Sequence, residues 1–98
     1  MNIALIYGGR SGEHEISLIS ASSIARGMSK ENNIVLIGIT KNGKWYLQDN
    51  SEYERICKDT NATFAIKEDE SKAVVVVPGG KKDSFVCNGK SLNIDVVF

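Results

Sequence analysis

The sequence predicts an α/β domain: a small, three-layer-like parallel sheet flanked by helices, with a β-hairpin elaboration. Three observations predict it. Residues 2–7 (NIALIY) and 33–40 (NIVLIGIT) are continuous apolar runs, the pattern of strands buried on both faces. Between them the hydrophobic period changes to that of a helix. Asn88-Gly89, set among β-formers in DSFVCNGKSL, carries the two-residue hairpin signal.

The elements follow in order. Gly8, Gly9 and Gly12 break the first apolar run. From about Glu15 to Lys30, Leu18, Ala21, Ala25 and Met28 recur at helical spacing with Ile24 beside them, while Ser22, Arg26 and Ser29 fall on the opposite face. The small residues in that stripe let the helix lie close to a sheet. Strand, glycine turn, helix and strand make a βαβ unit, whose crossover is expected to be right-handed. A tight turn at Asn42-Gly43 leads into a short strand over 44–47. Residues 49–59, with Tyr53 and Ile56 three apart, read as a short helix capped by Asn50 or Ser51.

Residues 60–91 read as an elaboration, in which AVVVVP (73–78) is a strand ended by Pro78-Gly79-Gly80 and followed by the hairpin. NIDVVF (93–98) starts a third buried-type strand. Such a strand needs cover on its faces, so the chain is expected to be the front part of a longer protein.

A chain of 98 residues supports one domain with one modest core. Lysine plus arginine and aspartate plus glutamate both number 12, so no field of one sign exists to draw nucleic acid or an anionic membrane. Cys57 and Cys87 lack metal-type spacing and read as free thiols of a reducing compartment. The opening MNIALIYGG has no basic leader and is too short to span a bilayer, which points to the cytoplasm.

The chemistry concentrates in YGGRSGEHEIS, residues 7–17. A Walker-type loop closes with Gly-Lys-Ser/Thr, but here Gly12 precedes Glu13. The dinucleotide fingerprint needs Gly-x-Gly-x-x-Gly and an acidic residue further on; Gly8-Gly9-Arg10-Ser11-Gly12 misses the spacing and the acidic residue is missing. A carboxylate at Glu13 would also repel a pyrophosphate. The turn nevertheless lies at the carboxyl end of the first strand, where open α/β sheets bind ligands, and glycines let backbone amides approach closely. Glu13 and Glu15 sit where the helix macrodipole favours negative charge. A carboxylate fixed there suits an ammonium or other cationic ligand, and it equally suits a plain helix start. Ser17 reads as a hydroxyl bonded to backbone or supporting the turn. Arg10 reads as an anion ligand or a salt-bridge partner of Glu13 or Glu15. His14 reads as a solvent-facing or hydrogen-bonded residue in preference to a catalyst.

IYGGRSGEHEISLISASSI resembles the N-terminal signature of the D-alanine–D-alanine ligases, a strand followed by Gly-Gly-x-Ser-x-Glu-x-Glu-Val/Ile-Ser-Leu. IGITKNGKWYL is similar to that family's Ile-x-x-Gly-x-Trp-Tyr continuation, and NIDVVF to the strand that leads into its Pro-x-x-His-Gly loop. Residues 49–90 align loosely. The resemblance implies a Rossmann-like pre-ATP-grasp domain: residues 1–98 would be the substrate-binding N-terminal domain of a longer ligase, with the central and C-terminal ATP-grasp domains absent from the chain. It implies ATP-dependent joining of two D-alanines for peptidoglycan through an acyl phosphate, with ATP and Mg2+ (or Mn2+) bound by residues outside this chain. By the same match, Glu13 is the catalytic residue that binds the ammonium of the first D-alanine. Gly8, Gly9, Ser11, Gly12 and Ser17 then form the substrate pocket. The 98 residues alone are expected to be inactive, and the full-length protein to be a homodimer. Other readings are a relative that couples D-alanine to D-lactate or D-serine, a stand-alone flavodoxin-like nucleotide-binding module, and a non-catalytic interaction domain.

Overall fold

In the computed structural model, which describes residues 1–10 and 12–98, the elements run in chain order. They are β1 (Asn2–Gly8), α1 (His14–Gly27), β2 (Asn33–Ile39), β3 (Trp45–Leu47), α2 (Asn50–Lys58), β4 (Val74–Val76), β5 (Phe85–Cys87), β6 (Lys90–Ser91) and β7 (Val96–Val97). The two apolar runs pair in parallel along their whole length, from Asn2 opposite Asn33 to Gly8 opposite Ile39. The main sheet has the order β3-β2-β1-β7. It is mixed rather than wholly parallel, because β3 follows β2 through a tight turn that reverses the chain. Gly43, at φ +83°, supplies the left-handed residue of that turn.

Alternation along the central strands sorts the core into two clusters. Ile3, Leu5 and Tyr7 with Ile34 and Leu36 face Leu18, Ala21 and Ala25 of α1, Ile56 of α2, and Phe64. Ala4 and Ile37, with Ile6 and Val35 beside them, face Val74, Phe85 and Ile94. Both helices therefore lie on one side of the sheet, and the antiparallel sheet β4-β5-β6 covers the other. Trp45 stacks on Phe85 across this second interface at 6.2 Å. The hairpin turn forms as expected, with Asn88 and Gly89 at φ +53° and +76°, as a type I′ turn requires.

Three expectations are corrected. On α1, Ser22 is fully buried and Ile24 is exposed, the reverse of the expected faces. The Ser22 hydroxyl donates to the Leu18 carbonyl (2.8 Å) and accepts the Phe64 amide (2.9 Å), so a polar group is satisfied in the core. Arg26 also turns inward. Its guanidinium donates to the carbonyls of Ile56, Asp59 and Ala62, satisfying the C-terminal end of α2.

On α2, Asn50 and Ser51 fall inside the first turn. Asp49 is the N-cap position, but its carboxylate makes no capping bond and instead takes Lys72 Nζ at 2.7 Å. The third correction concerns residues 93–98. β7 pairs in parallel with β1, yet Val96, Val97 and Phe98 are exposed. It is the edge of the sheet, and neither core cluster includes its residues.

Carboxylates tie distant segments together. The Asn2 amide (2.7 Å) and Lys82 hold Asp95 below its ordinary value of 3.8, and Lys72 does the same for Asp49. Burial would raise Glu52, but bonds from Arg55 and the Ala65 amide outweigh it and bring the group below 4.5. The fold binds each of these groups more tightly when ionised. Their stabilisation is therefore complete above about pH 5 and is lost as the pH falls through about 4 and below. Urea unfolding at successive pH values should show this decline, and a flat stability between about pH 5 and 3 would contradict it.

Cys57 and Cys87 are both free thiols. Among the described residues, no helix is long and apolar enough to cross a membrane.

Candidate functional site

The parallel strands β1 and β2 end together at Gly8 and Ile39, and the glycine turn leaves the sheet there. Gly8 and Gly9 have φ of +91° and +117°, a region open to glycine at little cost. Gly8 is enclosed. A Cβ on it would stand 2.2 Å from the Ile39 carbonyl oxygen and 2.9 Å from Ile66 Cδ1. At Gly9 and Gly12 a Cβ would meet nothing within 4 Å, so the backbone there is open to approach.

Hydrogen bonds hold the turn from three directions. The Gly8 amide donates to Ser17 Oγ at 3.0 Å, and the Gly9 amide to the Ile39 carbonyl at 2.9 Å. The Gly9 carbonyl lies 2.8 Å from His14 Nδ1. Ser17 thus supports the turn, one of its two expected roles. Glu13 is the N-cap of α1, exposed, with its carbonyl accepting the Ser17 amide at 2.9 Å. Its carboxylate makes no capping bond to the helix.

Glu15 pairs with Lys41 at 3.4 Å. Both side chains are well exposed, so the pair adds little stability. The stem of Arg10 lies over Gly43, where a Cβ would come within 2.7 Å of Arg10 Cδ. Ser11, the remaining expected pocket residue, lies outside the described residues.

Beyond the strand ends is a crevice of about 280 Å³ lined by His14, Thr40, Lys41, Asn42, Ile66 and Glu68. Ile66 and Glu68 reach it from residues 62–69, which have no regular secondary structure. That segment is pinned through its backbone. The Gln48 side chain donates to the Lys67 carbonyl and accepts the Lys67 amide, at 3.1 and 2.9 Å. Arg55 donates to the Thr63 carbonyl at 2.8 Å.

Sequence reasoning proposed Gly8, Gly9, Gly12, Glu13 and Ser17 as site residues; the structure puts the first four in the turn and Ser17 in α1, while the crevice itself is lined by other residues. Sequence reasoning missed Thr40, Ile66 and Glu68. The available signal was Gln48, an amide beside an apolar strand that is buried in the fold. Chemically, the place combines a turn with open backbone, an exposed carboxylate and a polar wall.

The model of the family described as D-ala D-ala ligase N-terminus matches residues 2–98. The D-alanine--D-alanine ligase of Treponema denticola is 52% identical over 99 residues, covering 100% of this chain and 27% of that protein. The D-alanine--D-alanine ligase of Treponema pallidum (strain Nichols) is 42% identical, covering 100% of this chain and 25% of that protein. The crystal structure of VanG D-Ala:D-Ser ligase from Enterococcus faecalis superposes with a TM-score of 0.72 at 31% identity. That match covers 99% of this chain and 27% of the solved one. The chain spans about a quarter of the length of the curated relatives it matches.

Proposed function

The chain belongs to the D-ala D-ala ligase N-terminus family, and from that premise we propose that it is the first-substrate domain of an ATP-dependent D-alanine–D-alanine ligase. In this reading the full-length protein uses ATP to phosphorylate the carboxylate of one D-alanine. The amine of a second D-alanine attacks the acyl phosphate, giving the dipeptide, ADP and phosphate. Glu13 holds the ammonium of the first D-alanine, and the Gly8–Gly12 turn, including Ser11, with Ser17 behind it, shapes the pocket. The observation that carries this reading is the placement of Glu13. It stands at the carboxyl end of parallel strands beside open glycine backbone, and its carboxylate does not serve as a helix cap. That same observation weighs against a purely helix-capping role.

The family resemblance assigns ATP and magnesium to parts of the full-length protein beyond these residues. Among the described residues no group of three or more His, Cys, Asp or Glu side chains is placed to hold a metal ion. The resemblance also supports a cytoplasmic homodimer with no nucleic-acid or membrane partner.

The test uses the full-length protein and phosphate release with ATP and D-alanine. Glu13→Ala should lower kcat/KM by about 30- to 1,000-fold, the cost of roughly 2–4 kcal/mol for losing one hydrogen-bonded charge contact. Unchanged activity would remove Glu13 from the site. Offering D-serine or D-lactate as the second substrate separates this reading from that of a relative with another second substrate.

A further inference from the structure

His14 is 8% exposed, and its Nδ1 lies 2.8 Å from the Gly9 carbonyl oxygen. A carbonyl oxygen only accepts, so Nδ1 carries the proton. In the neutral ring Nε2 is then left as an acceptor, in a side chain that lines the crevice.

The Gly9 carbonyl matters because a peptide unit is planar. Fixing that oxygen fixes the Gly9–Arg10 plane. Two adjacent glycines with positive φ have many other conformations open to them. The Gly8 amide is held by Ser17 and the Gly9 amide by Ile39, so both restraints lie before the Gly9–Arg10 unit. The bond from His14 acts on that unit itself. Its ring also closes the inner side of the turn, with Cε1 3.1 Å from the place a Gly8 Cβ would occupy.

We propose that His14 is a positioning residue of the first D-alanine site: its Nδ1–H holds the Gly9 carbonyl and so fixes the open glycine backbone of the turn. The proposal rests on the ligase reading above for the identity of the substrate.

Two substitutions in the full-length protein separate donor from ring. His14→Asn keeps an N–H at the place of Nδ1, whereas His14→Phe keeps the ring and loses the donor. His14→Phe should raise KM for D-alanine about ten-fold while kcat stays within about two-fold, and His14→Asn should bring KM back to within about three-fold of the parent. An unchanged KM in His14→Phe, or an equal defect in both variants, overturns the proposal. A second measurement needs no catalysis. In 15N-histidine spectra of the full-length protein, the ring signal that His14→Asn removes should show Nδ1 protonated, and an Nε2-protonated ring overturns the proposal. A parent protein without D-alanine-dependent phosphate release would defeat the ligase reading instead, and the ring spectrum would still decide whether His14 holds the turn.

Discussion

Gly8→Ala should cost the chain about 3 kcal/mol or more of folding stability, a large share of what a small domain has. Two penalties add. The residue sits at φ +91°, where a β-carbon costs roughly 1–2 kcal/mol. The new methyl would also stand 2.2 Å from the Ile39 carbonyl oxygen, a backbone atom that cannot swing aside as a side chain would. Relieving that clash means spreading β1 from β2 at the point where Ser17 and Ile39 take up the Gly8 and Gly9 amides. Urea denaturation should show a lower midpoint with an unchanged slope. Gly12→Ala is the matched control, since its Cβ would meet nothing, and a change within about 0.5 kcal/mol is expected. Equal effects at the two positions would refute the account of Gly8.

Phe64→Ala should cost about 3–5 kcal/mol. Phe64 is buried and stacks on Tyr7 with centroids 4.5 Å apart and planes 8° from parallel. Among the described residues the Tyr7 hydroxyl has no hydrogen-bond partner, and burial raises its pKa. Packing alone therefore holds that ring, and removing Phe64 opens a cavity against a side chain with nothing polar to retain it. The Phe64 amide keeps its bond to Ser22 in the variant, so the loss measures the ring rather than the backbone tether. Phe64→Leu, which keeps more of the volume, should cost less. Thermal unfolding of the three proteins would show the order, and an alanine variant as stable as the parent would refute it.

How much of this was legible depends on what each element answers to. β1, β2 and the hairpin were readable because continuous apolar runs and Asn-Gly turns act locally. The glycine turn and Ser17 were readable for a similar reason: the serine lies nine residues from the amide it holds. Ser22 and Ile24 were misplaced because hydrophobic patterning cannot see a hydroxyl or a guanidinium satisfied by distant backbone. The side of α1 that looked polar is the side on which α2 and residues 62–64 bring their carbonyls and amides. β7 was readable as a strand, but burial depends on what covers a strand. The role of His14 was hidden likewise, since its bond exists only once the glycines have adopted positive φ.

The path of residues 62–69 has one more consequence. Ser22, Arg26, Gln48 and Arg55 grip the segment at the main-chain atoms of Ala62, Thr63, Phe64 and Lys67. The instructions for its path are therefore written elsewhere in the chain. The exposed side chains of Thr63, Ala65, Lys67 and Glu68 are left free to vary, so the border of the crevice can be retuned for a different ligand without redrawing the scaffold that holds it.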